Sequence, residues 1–207
     1  MLQLGFDKAV KLTSYDDAAL REVLALTASD YGRMAESLDT DGSDASVYWR
    51  IQFAILTVHS PLDASLEAYR RVRLYKARYG RLPGQAKLAG LLLAARANDG
   101  VVQYCGQKAR YLKAFDAAWR SDRTVFLRGF DGDDAYRLRL QKNVLGLGLA
   151  KASFAVALMS PSTSDVCCID THMYQIFAGS VPKGSVAKRV YYEIEERIRG
   201  IRSRVRY

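Results

Sequence analysis

Cysteine is scarce in this chain, and long apolar runs are absent from it. Three cysteines, two of them adjacent at Cys167 and Cys168, do not form a disulfide framework, so we expect a reducing compartment. No apolar run approaches the roughly 18 residues of a membrane span. The opening segment, MLQLGFDKAVKLTSYDD, lacks the basic start and apolar core of a signal peptide. We therefore expect an intracellular protein, located in the cytoplasm, nucleoid or nucleus, and not in a membrane.

Metal ligands and strand patterns are also few. Two histidines and no cluster of cysteine ligands predict that there is no zinc site, and we expect no cofactor. Alternation of polar and apolar residues with a period of two is nearly absent, whereas helical spacing recurs along the whole chain. The sequence therefore predicts an all-α protein of about nine or ten short helices.

Three helices are predicted in the middle of the chain. Residues 47–60 are apolar nearly all round, as a central buried helix is, and Pro61 is expected to end this helix. Residues 62–80 form a basic amphipathic pattern that ends at Gly80, a common helix stop. Residues 84–100 predict one more helix, again ended by a glycine.

Polar residues that can cap a helix precede several other helical patterns. We expect Ser14 or Asp16 to cap the first helical segment, Asp133 to cap a short charged helix, and Asp170 to lie at the N-terminus of another. These patterns and the remaining ones predict helices over 14–38, 101–122, 133–144, 150–159, 170–179 and 185–207.

The chain carries a clear excess of positive charge. Lysine and arginine number 31 against 22 aspartates and glutamates, which gives a formal net charge of +9. A surplus of this size favours a polyanionic partner, with nucleic acid first and an anionic membrane surface second.

The stretch LGLGLAKASF, residues 145–154, has a glycine turn that opens an apolar helix, an arrangement typical of phosphate binding. A dinucleotide-binding fingerprint needs a preceding strand and a small sixth residue, but here the sixth residue from Gly146 is Lys151. No G-K-[ST] follows, which excludes a P-loop. The remaining interpretations are a helix-hairpin-helix that holds a DNA phosphate and a helical hairpin whose glycines serve packing alone.

The hairpin and a segment shortly after it together resemble a known family. Residues 144–158, VLGLGLAKASFAVAL, and 166–177, VCCIDTHMYQIF, are similar to the helix-hairpin-helix (HhH-GPD) DNA glycosylase superfamily, which includes endonuclease III and 8-oxoguanine glycosylase. Members carry an L-x-G-x-G hairpin before an apolar helix and a V-D-T-H-like segment with the catalytic aspartate. Weaker likeness in residues 49–72 and 100–115 extends the resemblance over about residues 47–180.

The resemblance implies an all-α, two-lobed fold that excises a damaged or modified base from double-stranded DNA. It implies that Asp170 is the catalytic carboxylate and that His59 fills the gap left by an extruded base, although His59 has a helix cap as its alternative role. The phosphate is expected to be held by Gly146 and Gly148 with the backbone of Leu147, Leu149 and Ala150.

Two departures from the family pattern are visible. Members that also cleave the sugar–phosphate backbone place a lysine two residues after the second hairpin glycine, where this chain has Ala150 and carries its lysine one position later, at Lys151. One helical step turns a side chain by about 100°, so Lys151 is not expected to point in the same direction as the lysine of these family members. Members with an iron–sulfur cluster have four cysteines after the aspartate, and this sequence has none beyond Cys168, so we expect no cluster.

Asp170 and Lys151 have structural alternatives to their chemical roles. A carboxylate near the sugar stabilises the positive charge that develops when a glycosidic bond breaks, while an aspartate that only caps a helix is worth about 1 kcal/mol. Both roles are compatible in Asp170. Lys151 is a candidate Schiff-base nucleophile for an AP lyase activity, a phosphate contact or a solvated lysine.

Further basic residues are candidates for DNA contacts. Lys142 precedes the hairpin and is expected to support the phosphate grip. Lys108, Arg110 and Lys113 are expected to follow the DNA backbone, or else to form a solvated basic face. His172 is either a donor to DNA or a structural histidine.

We expect residues 1–207 to form one monomeric glycosylase-like unit in which DNA crosses between two lobes. The lobes are expected at about 47–130 and 131–180, with 1–46 and 181–207 packed as flanking helices. Two alternatives stay open, an enzyme of this fold that processes a hypermodified DNA base without excision and a non-catalytic binder of DNA structures. A third, weaker one makes the basic C-terminal helix a membrane anchor.

Overall fold

A computed structural model describes residues 43–98, 100–129, 131–159, 164–179 and 186–205, together with Met34 and Leu38. Within these ranges the chain forms eight α-helices, one short 3-10 helix and a two-stranded antiparallel ladder. The all-α prediction is therefore confirmed. The helices predicted over 14–38, with Ser14 or Asp16 as a cap, lie outside the described residues apart from Met34 and Leu38.

The elements follow one another with short connections. The helices are α1 (Asp44–Leu56), α2 (Leu62–Tyr79), α3 (Gln85–Leu93), α4 (Cys105–Ser121), α5 (Asp133–Asn143), α6 (Leu149–Met159), α7 (Thr171–Ala178) and α8 (Lys188–Val205). Strands β1 (Arg96–Ala97) and β2 (Gly100–Val101) pair antiparallel between α3 and α4, and the 3-10 helix covers Arg123–Phe126. No described helix has the length and the apolar character that crossing a membrane requires.

Two predicted helix ends are wrong. Helix α1 ends at Leu56, and Pro61 lies instead at the N-cap position of α2. Helix α3 ends at Leu93 because the chain turns into the β1–β2 ladder, where Gly100 has a φ of +135° that side-chain-bearing residues rarely adopt.

Asp133 is the first residue of α5 and not its cap, which is Gly132. One carboxylate oxygen of Asp133 accepts the Asp165 backbone N–H at 2.9 Å, and the other forms an ion pair with Arg128 at 2.6 Å. This side chain therefore links the start of α5 to the segment that follows α6.

The described chain divides into two compact units, with the boundary between Cys168 and Ile169. Helices α1 to α6 and the β1–β2 ladder belong to the first unit, and α7 and α8 belong to the second. This division does not test the lobe boundary expected near residue 131, which stays a prediction.

Helix α1 is the centre of the first unit. Its residues Ile51 and Phe53 to Leu56 are fully buried, and α1 packs against α2, α4 and α6. This burial matches its sequence, which is apolar nearly all round. Each fully buried large apolar side chain contributes about 1.5–3 kcal/mol to folding.

An aromatic cluster joins α1 to the C-terminal half of α4. The Tyr48 ring stacks on Phe115 with a centroid distance of 5.4 Å and meets Trp49 and Trp119 edge to face at 5.0 and 5.3 Å. Trp119 in turn stacks on Phe126 of the 3-10 helix at 5.9 Å. Such pairs prefer the offset and edge-to-face geometries seen here.

A buried carboxylate lies beside this cluster. Asp116 accepts hydrogen bonds from the Tyr48 hydroxyl at 2.5 Å and from the Lys76 ammonium at 2.8 Å. Burial alone would raise the pKa of Asp116, but the hydrogen bonds from Lys76 and Tyr48 outweigh it and hold this pKa below its ordinary value. The network thus ties α1, α2 and α4 together through one paired charge.

Candidate nucleic-acid interface

The predicted helix-hairpin-helix is present in α5, a tight turn and α6. The Val144 backbone N–H still donates to Leu140 O at 2.9 Å, and the Leu147 N–H then donates to Val144 O at 3.2 Å, which closes the turn. The two helices pack against each other, and the fully buried Arg137 of α5 donates to Ser153 Oγ of α6 at 3.1 Å.

The two hairpin glycines have different surroundings. Gly146 has a φ of +92°, and a Cβ built on it would lie 2.2 Å from the Tyr111 ring. Gly148 has no positive φ, and a Cβ there would meet nothing within 4 Å. Gly146 is therefore required by the fold itself, whereas the space beside Gly148 is open to a ligand.

The start of α6 presents donors toward the open side of the hairpin. The first N–H groups of a helix have no intrahelical acceptor, so the amides of Gly148, Leu149 and Ala150 can bind an anion at the positive end of the helix. The Leu147 amide differs because the turn already uses it, and its side chain is only 4% exposed. The Leu147 amide is therefore not available to an anion, while the phosphate contact expected at Gly146, Gly148, Leu149 and Ala150 stays a prediction.

A pocket of about 260 Å³ brings several predicted residues together. It is lined by His59, Lys108 and Gly146, which come from three separate segments of the chain. Its remaining lining residues are Val58, Tyr104, Gln107 and Tyr111. The loop after α1, helix α4 and the hairpin therefore meet at one place in the first unit.

His59 and Tyr104 project at the rim of this pocket. Both side chains are exposed, Tyr104 by 60%, and their ring centroids are 5.9 Å apart in an edge-to-face arrangement. In the described chain they are also the two non-glycine residues with positive φ, at +50° and +54°. Backbone conformations of this kind cost of order 1–3 kcal/mol and gather at functional sites.

Lys108 does not lie on the exposed basic track that the sequence predicts. Its side chain is only 2% exposed, and its ammonium donates to Leu56 O and to Ser60 Oγ, each at 2.6 Å. Burial lowers the pKa of Lys108 to about 8; the thiol of Cys105 opposes this shift, and the charge of Lys151 adds to it.

The other predicted basic residues of this unit are at or near the surface. Lys142, in the last turn of α5, and Arg110, on α4, are exposed, while Lys113 is half-buried. Lys151 is half-buried in the first turn of α6, and its ammonium lies 5.2 Å from the centre of the Phe154 ring. Ala150 is half-buried beside it.

Asp170 belongs to the second unit, where it caps α7 as predicted. Its Oδ1 accepts the Met173 backbone N–H at 2.9 Å, and the side chain is half-buried. The preceding amide, that of Ile169, donates to the hydroxyl of the buried Tyr191 on α8 at 3.2 Å. The carboxylate is thus bonded to the start of α7, and the backbone that precedes it is bonded to α8. The side chain of His172 lies outside the described residues.

Sequence reasoning missed two residues of the candidate interface, namely Ser60 and Tyr111. Tyr111 had a detectable signal, since Lys108, Tyr111, Leu112 and Phe115 recur at helical spacing and predict an inward-facing stripe of α4. Ser60 lies in a loop whose neighbours are remote in sequence. Among the described residues, no group of three or more histidine, cysteine, aspartate or glutamate side chains could hold a metal ion.

Titration of Lys108 should be visible in the stability of the protein. Its pKa is about 8 when folded against 10.5 ordinarily, so between these pH values the unfolded chain holds more protons and stability rises with pH. Relative to Lys108→Met, we expect the wild-type free energy of unfolding to increase by about 1–3 kcal/mol from about pH 7 to about pH 10. Urea denaturation at both pH values measures this change.

The control is Lys87→Met, which removes an exposed lysine from α3. This variant should keep the pH dependence of the wild-type protein. If the free energies of unfolding of the wild-type protein and Lys108→Met changed equally with pH, a buried amine that titrates near pH 8 would be ruled out.

The chain is similar to known proteins in its three-dimensional structure. No family model and no curated protein matches the chain. Among solved structures, it is similar to the 8-oxoguanine DNA glycosylase of Methanocaldococcus jannaschii, with 20% identity, a TM-score of 0.65, and coverage of 91% of this chain and 87% of that chain.

Two further structures show the same similarity. The 8-oxoguanine DNA glycosylase of Thermotoga maritima is 16% identical, with a TM-score of 0.64 and coverage of 90% of this chain and 86% of that chain. The 8-oxoguanine glycosylase/lyase of M. jannaschii in complex with a 15mer DNA containing 8-oxoguanine is 18% identical, with a TM-score of 0.62 and coverage of 92% and 90%. The chain thus has the fold of these glycosylases, which confirms the resemblance carried by the hairpin and the Asp170 segment.

Proposed function

We propose that this protein is a DNA glycosylase that extrudes a damaged or modified base from double-stranded DNA and excises it. One observation carries the proposal. In a fold shared with DNA glycosylases over about nine-tenths of the chain, a hairpin with an open face precedes a carboxylate held at a helix start. The base named for the neighbouring proteins, 8-oxoguanine, is the first substrate to test.

The hairpin is proposed to hold the DNA by its backbone phosphate. The amides of Gly148, Leu149 and Ala150 supply donors and the α6 dipole supplies positive potential, neither of which depends on base sequence. Exposed Lys142 adds a nearby cation. This contact positions the enzyme on DNA without choosing the base.

The paired rings of His59 and Tyr104 are proposed to enter the duplex where the target nucleotide leaves it. A base inside the stack is out of reach of a glycosylase, so the nucleotide has to rotate outward. Aromatic rings stack on the exposed faces of the remaining bases, which is worth about 1–3 kcal/mol per base. The exposed and adjacent rings of these two residues suit that role.

Asp170 is proposed as the carboxylate that supports cleavage of the glycosidic bond. When the bond from the sugar C1′ to the base nitrogen breaks, positive charge develops on the sugar, and a nearby carboxylate stabilises it. In the monofunctional reaction, Asp170 orients water, whose oxygen bonds to C1′ while its proton goes to the departing base. The hydrogen bond from the Met173 amide orients this side chain, and the bond from the Ile169 amide to the Tyr191 hydroxyl fixes the backbone just before it.

Lys151 is proposed as a second nucleophile, which would add AP lyase activity. In a bifunctional reaction its amine nitrogen would bond to C1′ as the base leaves, and the resulting Schiff base would allow elimination of the 3′ phosphate. Its position in the first turn of α6 also suits a phosphate contact. Borohydride trapping distinguishes the two roles.

We further propose that the protein acts as a monomer inside the cell. We also propose that it holds no iron–sulfur cluster, since no cysteine follows Asp170 in this sequence.

The two hairpin glycines make a matched pair of variants. Gly148→Ala adds a methyl group to the open face, so we expect the free energy of unfolding to change by less than about 1 kcal/mol while affinity for duplex DNA falls about tenfold or more. Gly146→Ala forces a methyl group into the Tyr111 ring and should destabilise the fold by about 2–4 kcal/mol. Thermal unfolding and fluorescence anisotropy measure the two effects.

Ala157→Gly, at a half-buried position on α6 away from the turn, serves as a control for changes within this helix. It should lower stability slightly and leave the affinity of the folded protein unchanged. Equal DNA affinities for Gly148→Ala and the wild-type protein would argue against a phosphate at this hairpin.

Catalysis is tested by base release from labelled duplexes containing 8-oxoguanine, uracil, alkylated bases or 5-substituted pyrimidines. Asp170→Asn keeps a side chain that caps a helix well but removes its charge, so we expect near-wild-type stability and loss of release by at least about a hundredfold. Borohydride should trap a covalent adduct that Lys151→Ala abolishes if the reaction is bifunctional.

If the Asp170→Asn variant still released bases at the wild-type rate, the proposed catalytic role of this residue would be wrong. If no substrate loses its base but DNA is still bound, the proposal of excision fails for these bases. A protein that modifies a base without excision, or one that only binds DNA structure, would then be the better description.

A further inference from the structure

The loops that carry His59 and Tyr104 are joined by a bridge that uses neither ring. Ser60 Oγ accepts two hydrogen bonds, one from the Gln103 backbone N–H at 2.9 Å and one from the Lys108 ammonium at 2.6 Å. Ser60 follows His59 directly, and Gln103 directly precedes Tyr104. The bridge therefore connects the immediate neighbours of both rings.

Lys108 fastens this bridge to the buried core. Its ammonium also donates to the carbonyl oxygen of Leu56, the last residue of α1, at 2.6 Å. A cation is favoured at the C-terminal end of a helix, and a charge that is nearly inaccessible to water needs such partners. The Ser60 hydroxyl is thus bonded to a residue of helix α4 that is itself bonded to the end of α1.

The unusual backbone conformations of His59 and Tyr104 require contacts that hold them in place. Positive φ is unfavourable for His59 and Tyr104 and persists only where the surroundings determine the conformation. The Ser60 bridge constrains the chain on one side of each residue. Preassembled groups bind with less loss of conformational entropy than groups that must be ordered on binding.

We propose that Ser60 and Lys108 are positioning residues that hold His59 and Tyr104 as one preassembled wedge for insertion into DNA at an extruded or missing base. Neither residue touches the substrate. Their effect is to keep the two rings 5.9 Å apart before DNA arrives. This inference rests on the proposal that the protein binds DNA with this face, and it does not require that the protein release a base.

The test compares binding to a duplex that contains a stable abasic-site analogue with binding to the same duplex fully paired. The analogue offers a gap for the wedge and has no base to release. We expect the wild-type protein to prefer the abasic duplex, and Ser60→Ala to reduce that preference about tenfold because the shared acceptor is lost. Lys108→Met should act in the same direction, while affinity for the paired duplex changes little.

Two serine variants separate positioning from general damage. Ser60→Thr retains a hydroxyl and should restore the preference for the abasic duplex. Ser121→Ala removes an exposed hydroxyl at the end of α4 and should have no effect. Amide hydrogen exchange provides a structural measurement, since the Gln103 N–H should exchange faster in Ser60→Ala than in the wild-type protein or in Ser60→Thr.

Each outcome decides the inference. It is overturned if Ser60→Ala retains the full preference for the abasic duplex, or if the wild-type protein has no such preference. It is also overturned if Ser60→Thr behaves as Ser60→Ala does. Failure of the glycosylase proposal would look different, with no base release but with the abasic preference and its loss in Ser60→Ala intact.

Discussion

The contact between Gly146 and the Tyr111 ring is the constraint on which the arrangement of the first unit depends. The ring occupies the space where any other residue would carry its Cβ, and the positive φ of Gly146 lets the hairpin turn back at that point. As a result the hairpin is seated directly on α4. The start of α6 is then held in place while its amides remain open to an anion.

Helix α4 organises the remaining parts of the same face through one stripe of side chains. Tyr104 directly precedes the helix, and Lys108 and Tyr111 follow inside it at helical spacing, so these two lie along one side of the helix. The first contacts the His59 ring, the second bonds to the loop after α1, and the third packs on the hairpin. Three segments distant in sequence thus take their relative positions from one regular element, which supports geometry more firmly than loop-to-loop contacts would.

The sequence predicted most of the helices because burial imposes a repeat of 3.6 residues on them, and it predicted the Asp170 cap because such caps are local. It failed where tertiary contacts decide. Lys108 was expected to face solvent, but two acceptors, the Leu56 carbonyl at the end of α1 and the Ser60 hydroxyl, draw its ammonium inward. The loop residue Ser60 has no periodic pattern that would mark it as a bridge. Strands of two residues, as at β1 and β2, are too short to leave an alternation.

The aromatic cluster around Tyr48 has a practical consequence for optical experiments. The only two tryptophans of the chain, Trp49 and Trp119, both belong to it and therefore to the unit that contains the hairpin. Their emission is a built-in probe of that unit's packing. The helices around Asp170 contain no indole, so their local order is followed through tyrosine absorption or through a tryptophan introduced there by substitution.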